Sequence, residues 1–496
     1  MTDKSSSTEL HHEIFGSTLD RTEMTPYLLL SADNYSKALL QASQMLKNRG
    51  FDVVDGYGLL ESERHRAKGY IAQSCSYFSN WLLPTVKSQL EKLAALNSAN
   101  GPLYRNGIDA IAQVEGILAD DAFRSVTDED PRHLFLLASS KRYPHLFFGY
   151  RGKNVTVPAH WQQAACAILK MGFLIKSIEE DSQDINDYAQ LGFFLATTRK
   201  NLHDLFQYEW ENPSHIPSSE PAQIAYVKIA TFFHKLKESI VWNESDGCFV
   251  FDSGDGVQVD IVDIRARLKS PESMVIKLGK NLEGESYDIR DILAITFVLK
   301  HRDDTLKLFH ALQKKGVILQ ENTNSLSITQ TLFDSPRSMI DAVGRLMTSL
   351  SKSAHHEQVY SEAELLAHGT AFYEALSQNA RKNTHTSPGH RKFQCQLSFS
   401  LPIHREAETH KIIIPGTATY ARRGDVKKTT QQQTLGVELR ISDAESWKTS
   451  EQKGDAHHDA YKFRQLIAVM NRIFKHVFHM PPDCIDQLRK DQAQLF

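Results

Sequence analysis

The sequence predicts an α+β protein: a helical N-terminal region followed by a mixed β-sheet flanked by helices. Three observations predict it. Residues 26–206 carry mostly helical periodicity. Strand-like runs begin only after residue 247. From there on, strands and helices interleave.

The elements follow in order. Residues 1–25 read as a disordered polar tail, and 26–211 as a helical domain. Within it, Ala38, Leu39, Ala42, Met45 and Leu46 form a helical stripe, and 161–178 and 185–205 repeat the pattern. Turns are expected at 100–102, 130–131 and 149–152. Three prolines within residues 212–221 mark a linker to a second domain, 222–480. That domain opens with a helix at 222–241. Strands at 248–251 and 257–264 are joined by Ser253-Gly254-Asp255-Gly256, a hairpin signal. Ser270 at an N-cap and Pro271 at the first helical position start a helix. Residues 292–299 are almost continuously apolar, the pattern of a buried central strand. A helix at 305–314 precedes a polar helical insertion at about 335–380. Strands return at 393–401, 411–414 and 435–441, and a last helix runs from about 457 to 478.

With 57 Lys+Arg against 60 Asp+Glu, the formal net charge of −3 excludes a globally basic nucleic-acid binder but not a local basic cleft. The five cysteines are widely spaced and form no CxxC, which points to the reducing cytoplasm. No apolar run approaches the ~18–20 residues that span a bilayer, and the first 13 residues lack a signal-peptide core.

Chemistry concentrates at 257–299. If 257–269 is extended, Val262, Ile264, Ala266 and Leu268 point one way and Asp263, Arg265, Arg267 and Lys269 the other. Stacked cations repel, so an anionic partner is expected. The strand feeds a helix N-terminus, which attracts anions. Ser273 lies in the first turn and Lys277 one turn on. Arg265, Arg267, Lys269, Ser273 and Lys277 thus form a candidate polyphosphate cradle. Asp291, before the central strand, is a natural Mg²⁺ ligand beside it. By itself the pattern also describes a solvated basic strand face with Ser270 and Asp291 as caps.

These residues resemble a known family. Arg267-Leu268-Lys269-Ser270-Pro271-Glu272-Ser273-Met274-Val275-Ile276-Lys277 resembles the R-x-K-x-x-x-S-I-x-x-K segment of RelA/SpoT alarmone synthetases. Asp291-Ile292-Leu293-Ala294-Ile295-Thr296 is similar to the family's D-[LI]-x-[AG]-[IV]-R strand. Pro388–Gln394 is similar to its N-G-Y-R-S-x-H loop, and Gly436–Ile441 to its V-E-[IV]-Q-[IL]-R strand. Trp447 and Tyr461-Lys462 are similar to its W…H…Y-K ending. The resemblance covers about 247–478. It implies a synthetase-like sheet domain that transfers pyrophosphate from ATP to a ribose 3′-hydroxyl of a guanine nucleotide. It also implies Mg²⁺ held by Asp291 and Glu438, with Glu438 near the acceptor hydroxyl as base. Arg267, Lys269 and Lys277 would hold phosphates, Ser273 would donate a hydrogen bond, and His390 would stack on the acceptor base. Toxin branches of the family modify the 3′ end of tRNA instead.

The chain departs from the pattern at four places. Thr296 and Ser442 stand where the family has arginine, His390 where it has tyrosine, and Gln394 where it has histidine. The family's hydrolase half, with its paired His-Asp residues, is not visible upstream. These departures keep a catalytically decayed nucleotide- or RNA-binding module open, and an α-helical scaffold besides.

Other clusters read as structure. Adjacent histidines at 11–12, 355–356 and 457–458 diverge by about 100° on a helix and make poor shared ligands. The aromatics and cations between 132 and 160 suit a turn packed into the core, or a nucleotide surface. The acidic run 179–184 reads as a solvated cap and the basic stretch 421–428 as a hairpin tip.

Overall fold

In the computed structural model the described residues are 61–96, 100–121, 123–124, 134, 137–138, 159–179, 183–198, 205–210, 212, 215–280, 289, 291–353, 358–377, 391–414, 427–451, 457–474, 477–481 and 484–495. The predicted tail, the helix at 35–46, the histidines at 11–12 and 355–356 and His390 lie outside them. So do the turns at 130–131 and 149–152 and most of the segments 132–160 and 421–428.

The chain divides into two compact units: residues 1–181, 275–286 and 459–496, and residues 182–274 and 287–458. The segment 212–221, which reads as a linker, lies inside the second unit. The final predicted helix groups with the N-terminal helices instead.

The first unit is built from α1 (Glu61–Tyr77), α2 (Leu83–Leu96), α3 (Gly101–Leu118) and α4 (Ala159–Glu179), with a π-helical turn, Phe78–Leu82, between the first two. Apolar residues at helical spacing on α2 (Val86, Leu90, Leu93) and α3 (Tyr104, Ile111, Val114) are buried together. Close approach of α2 and α3 requires a small residue: a Cβ on Gly107 would stand 3.0 Å from Leu90.

The second unit holds α5 (Gln183–Thr198), α6 (Glu220–Lys237) and a seven-stranded sheet. Its strands are β1 (Ile240–Asn243), β2 (Cys248–Asp252), β3 (Gln258–Leu268), β4 (Leu293–Leu299), β5 (Thr323–Gln330), β6 (Phe393–Glu406) and β7 (Lys428–Asp443). The order is β1-β2-β3-β4-β7-β6-β5. Every neighbouring pair is antiparallel except β4 and β7. All seven residues of β4 are buried, as its apolar run requires of a central strand. Between the strands run α7 (Pro271–Lys280), α8 (Thr305–Lys314), α9 (Ile340–Ser353), α10 (Glu362–Ser377) and α11 (Ala444–Glu451). The C-terminal helices α12 (His458–Ile473) and α13 (Cys484–Leu495) belong, from Asp459 on, to the first unit. The helices at about 335–380 are present as expected.

One face of the sheet is apolar: Ile264, Ala266, Leu268, Leu293, Ile295, Phe297, Val437, Leu439, Ile441, Phe393 and Leu397. Helices cover it. Phe232 of α6 meets Phe399 at 5.1 Å between ring centroids, and Phe309 of α8 meets Phe393 at 5.4 Å. The other face carries the charged positions of the same strands.

Several elements differ from expectation. The helix at 222–241 ends at Lys237, because Ile240–Asn243 pairs with β2 as an edge strand. β5 and α13 are additional elements. Residues 411–414 form only an isolated bridge, Arg405 to Ile412. Val262 does not share the buried face with Ile264. The pairing of β3 with β4 shifts between Ile261 and Asp263, and this bulge leaves Val262 exposed.

Candidate functional site

The register of the central strands assembles the charged residues. Arg267 pairs with Ala294, and Ala294 with Glu438, in one row across β3, β4 and β7. The next row is Arg265, Thr296, Arg440 and Gln394. Side chains alternate along each strand, so both rows stand on the polar face.

Glu438 is the buried centre, with 5% of its side chain exposed. It is ion-paired with Arg440 and accepts a hydrogen bond from Gln394 Nε2 at 2.9 Å. Asp291, at the mouth of β4, is ion-paired with Lys269, and both side chains are largely buried. The backbone N–H of Lys269 donates to the Ile292 carbonyl at 2.8 Å, which ties the end of β3 to the start of β4. Arg267 lies 3.1 Å from the His458 ring nitrogen.

The two carboxylates share one electrostatic neighbourhood. Burial and the charge of Asp291 push the Glu438 carboxyl up, but Arg440, Lys392 and Lys269 outweigh them and hold it below its usual value. Burial and the nearby Arg440 depress the Arg267 guanidinium to about 10, against the pull of Glu438, Asp291 and Glu451. Lys392, one residue before β6, is pushed down to about 7 by burial, Arg440 and Arg267, against Glu438 and Asp291. Behind the site, burial and Glu438 raise the Cys395 thiol to about 12, so it is an inert core residue.

The sequence-derived residues therefore separate. Arg267, Lys269, Asp291 and Glu438 come together. Arg265 shares their face but is half-exposed and ion-paired with Asp263 on its own strand at 2.6 Å. The anionic partner expected for the stacked cations is thus, for Arg265 and Lys269, a carboxylate of the chain itself. Ser273 takes part in the helix cap: its backbone N–H donates to Ser270 Oγ at 3.3 Å, and Ser270 Oγ donates to its hydroxyl at 3.1 Å. Lys277 is partly exposed on α7, in the stretch belonging to the helical unit.

Four members of the cluster, Arg440, Lys392, Gln394 and His458, are not among the site residues the sequence points to. Arg440 alternates with the buried Leu439 and Ile441 beside Glu438. Lys392 and Gln394 alternate with the buried Phe393 and Cys395, and that alternation is the signal that places them on the polar face. His458 sits in a histidine pair that reads as surface; nothing in its local sequence points to Arg267.

Among the described residues no group of three or more His, Cys, Asp and Glu side chains is arranged to hold a metal ion. Mg²⁺ needs fewer: one or two carboxylates complete its shell with phosphate oxygens and water. Asp291 and Glu438 fit that donor set, and an incoming ion would compete with Lys269 and Arg440 for them. No known protein family, curated protein or solved structure matches the chain. No helix among the described residues is long and apolar enough to cross a membrane.

Proposed function

We propose that the chain is a Mg²⁺-dependent pyrophosphokinase that transfers pyrophosphate from ATP to the ribose 3′-hydroxyl of a guanine nucleotide. One observation carries the reading. Two carboxylates, Glu438 on β7 and Asp291 just before the adjacent parallel strand β4, lie within a cluster of four cations, Arg267, Lys269, Lys392 and Arg440. Such a cluster suits a polyphosphate, whose negative charge the cations offset.

In the reaction the 3′-oxygen attacks the β-phosphorus of ATP. The bond from that phosphorus to the α–β bridging oxygen breaks, and AMP leaves. Glu438, kept ionised by its cations, accepts the hydroxyl proton. Arg267 and Arg440 orient the phosphates and offset charge on the transferred group. Asp291 and Glu438 would hold Mg²⁺, which supplies Lewis-acid stabilisation of the phosphoryl oxygens when bound.

The second reading is a nucleotide- or RNA-binding module without catalysis. It is favoured by the ion pairs that already engage both carboxylates, and by Thr296 and Ser442 at the positions where the resembled family has arginine. One assay separates the readings: incubation with γ-labelled ATP and Mg²⁺ plus GDP, GTP or tRNA. Transfer to GDP or GTP that is lost in Glu438→Gln supports the proposal. Transfer to tRNA alone moves the acceptor to an RNA 3′ end. No transfer to any acceptor, with ATP still bound, supports the binding module.

A further inference from the structure

One cation of the polar sheet face makes no ion pair or hydrogen bond through its side chain among the described residues. Arg267, Lys269 and Arg440 each stand against a side chain: His458, Asp291 and Glu438 respectively. Lys392 does not. Among the described residues its ammonium has no hydrogen bond or ion pair, although its backbone is fixed on both sides. Its N–H donates to Thr331 Oγ1 at 3.0 Å, and its carbonyl accepts from the Thr331 N–H at 2.8 Å.

Register shows where the side chain belongs. Gln394 pairs with Arg440 and Phe393 with Ile441, so Lys392 shares the face of Gln394, Arg440 and Glu438. The strand at the middle of that face presents Ala294 and Thr296, with Val298 beyond them, between Arg265 and Arg267 on one side and Glu438 and Arg440 on the other. Short side chains flanked by long charged ones leave a floor lower than its walls.

We propose that Lys392 binds the polyphosphate directly over this floor and is the residue that determines affinity for it. The identity of the anion as a nucleotide polyphosphate rests on the pyrophosphokinase reading; the anion-binding role of Lys392 does not. A lysine half-buried beside two arginines is a poor arrangement for the free protein, and the depressed Lys392 value registers the cost. An incoming phosphate adds a directly contacting counter-charge to that of Glu438 and Asp291, and it meets an ammonium that, among the described residues, need not first break a bond. Lysine suits this task, because it offers a compact charge with three donors on a flexible stem.

The test is calorimetric titration of the full chain with inorganic pyrophosphate and, separately, with α,β-methylene-ATP, both with Mg²⁺. The variants are Lys392→Gln and Lys392→Arg, each checked for a single cooperative melting transition no lower than that of wild type. Loss of one charge-assisted contact predicts pyrophosphate binding weakened roughly ten- to a hundredfold in Lys392→Gln. Lys392→Arg should stay within about threefold of wild type. If wild type binds pyrophosphate and Lys392→Gln binds it equally well, the inference fails while the reading of the site stands. If pyrophosphate binding depends on Lys392 but the nucleotide analogue does not bind, the inference stands and the pyrophosphokinase reading fails. If wild type binds neither probe, both fall.

Discussion

Glu438 stays ionised in a buried position because cations hold it there, so its removal should be felt in stability as well as in activity. Replacing it by Gln leaves Arg440 without its carboxylate among three other cations. The expected cost is about 3 kcal/mol, the order found when one partner of a buried pair is lost. Urea denaturation measures it, and a change under about 0.5 kcal/mol would contradict the placement of Glu438 at the centre of the cluster. Lys392 gives a prediction with the opposite sense. Its value of about 7 lies below the ordinary lysine value of 10.5. Between those two pH values the unfolded chain binds a proton that the folded chain does not, so this residue's contribution to stability rises with pH. Its destabilising effect is full below about pH 7 and fades towards pH 10. The charged groups acting on it are Arg440, Glu438, Arg267 and Asp291. Comparing wild type with Lys392→Met from pH 6 to pH 10 isolates the term. The variant should be the more stable at pH 6, and its advantage should shrink as pH rises; a pH-independent difference would contradict the assignment.

At the scale of elements, sequence pattern fixed those strands in which charge or hydrophobicity alternates or runs on without a break. The apolar run of β4 and the alternation around Glu438 on β7 are legible because burial on one or both faces dictates them. The Ser270-Pro271 start of α7 is legible from cap chemistry. What was not legible is what tertiary pairing decides. β1 reads as the continuation of a helix, since Ile240 and Val241 suit either period until β2 pairs with them. β5, TNSLSITQ, is polar and becomes a strand because β6 offers it an edge. The bulge that exposes Val262 is set by register with β4, which a single strand cannot reveal. Two glycines separate packing from propensity. A Cβ on Gly369 of α10 would stand 3.0 Å from the Pro336 carbonyl, so Gly369→Ala should destabilise by about 1–2 kcal/mol. Gly116 of α3 has no heavy atom within 4 Å of an added Cβ, so Gly116→Ala should stabilise by about 0.5–1 kcal/mol. Chemical denaturation reads both, and equal signs would contradict the packing.

At the scale of the molecule, a net charge of −3 conceals a cation cluster confined to one sheet face. Average charge is a poor guide when two compact units divide the chain discontinuously, as they do here. The discontinuity escaped the sequence reading, because prolines mark turns but not which helices pack together. In the helical unit, buried Asp491 accepts hydrogen bonds from Tyr104, Asn100 and Gln487. Asp491→Ala, which strands three donors, should cost about 3 kcal/mol in urea denaturation; a silent substitution would contradict that network. The measurement that bears most directly on the polar sheet face as a nucleotide site is a crystal structure of the chain with α,β-methylene-ATP and Mn²⁺ in place of Mg²⁺. The expected result is an anomalous peak between the carboxylates of Asp291 and Glu438, with the triphosphate against Arg267, Arg440 and Lys392. Nucleotide and Mn²⁺ bound away from this face, or absent at concentrations that saturate the protein in solution, would contradict it.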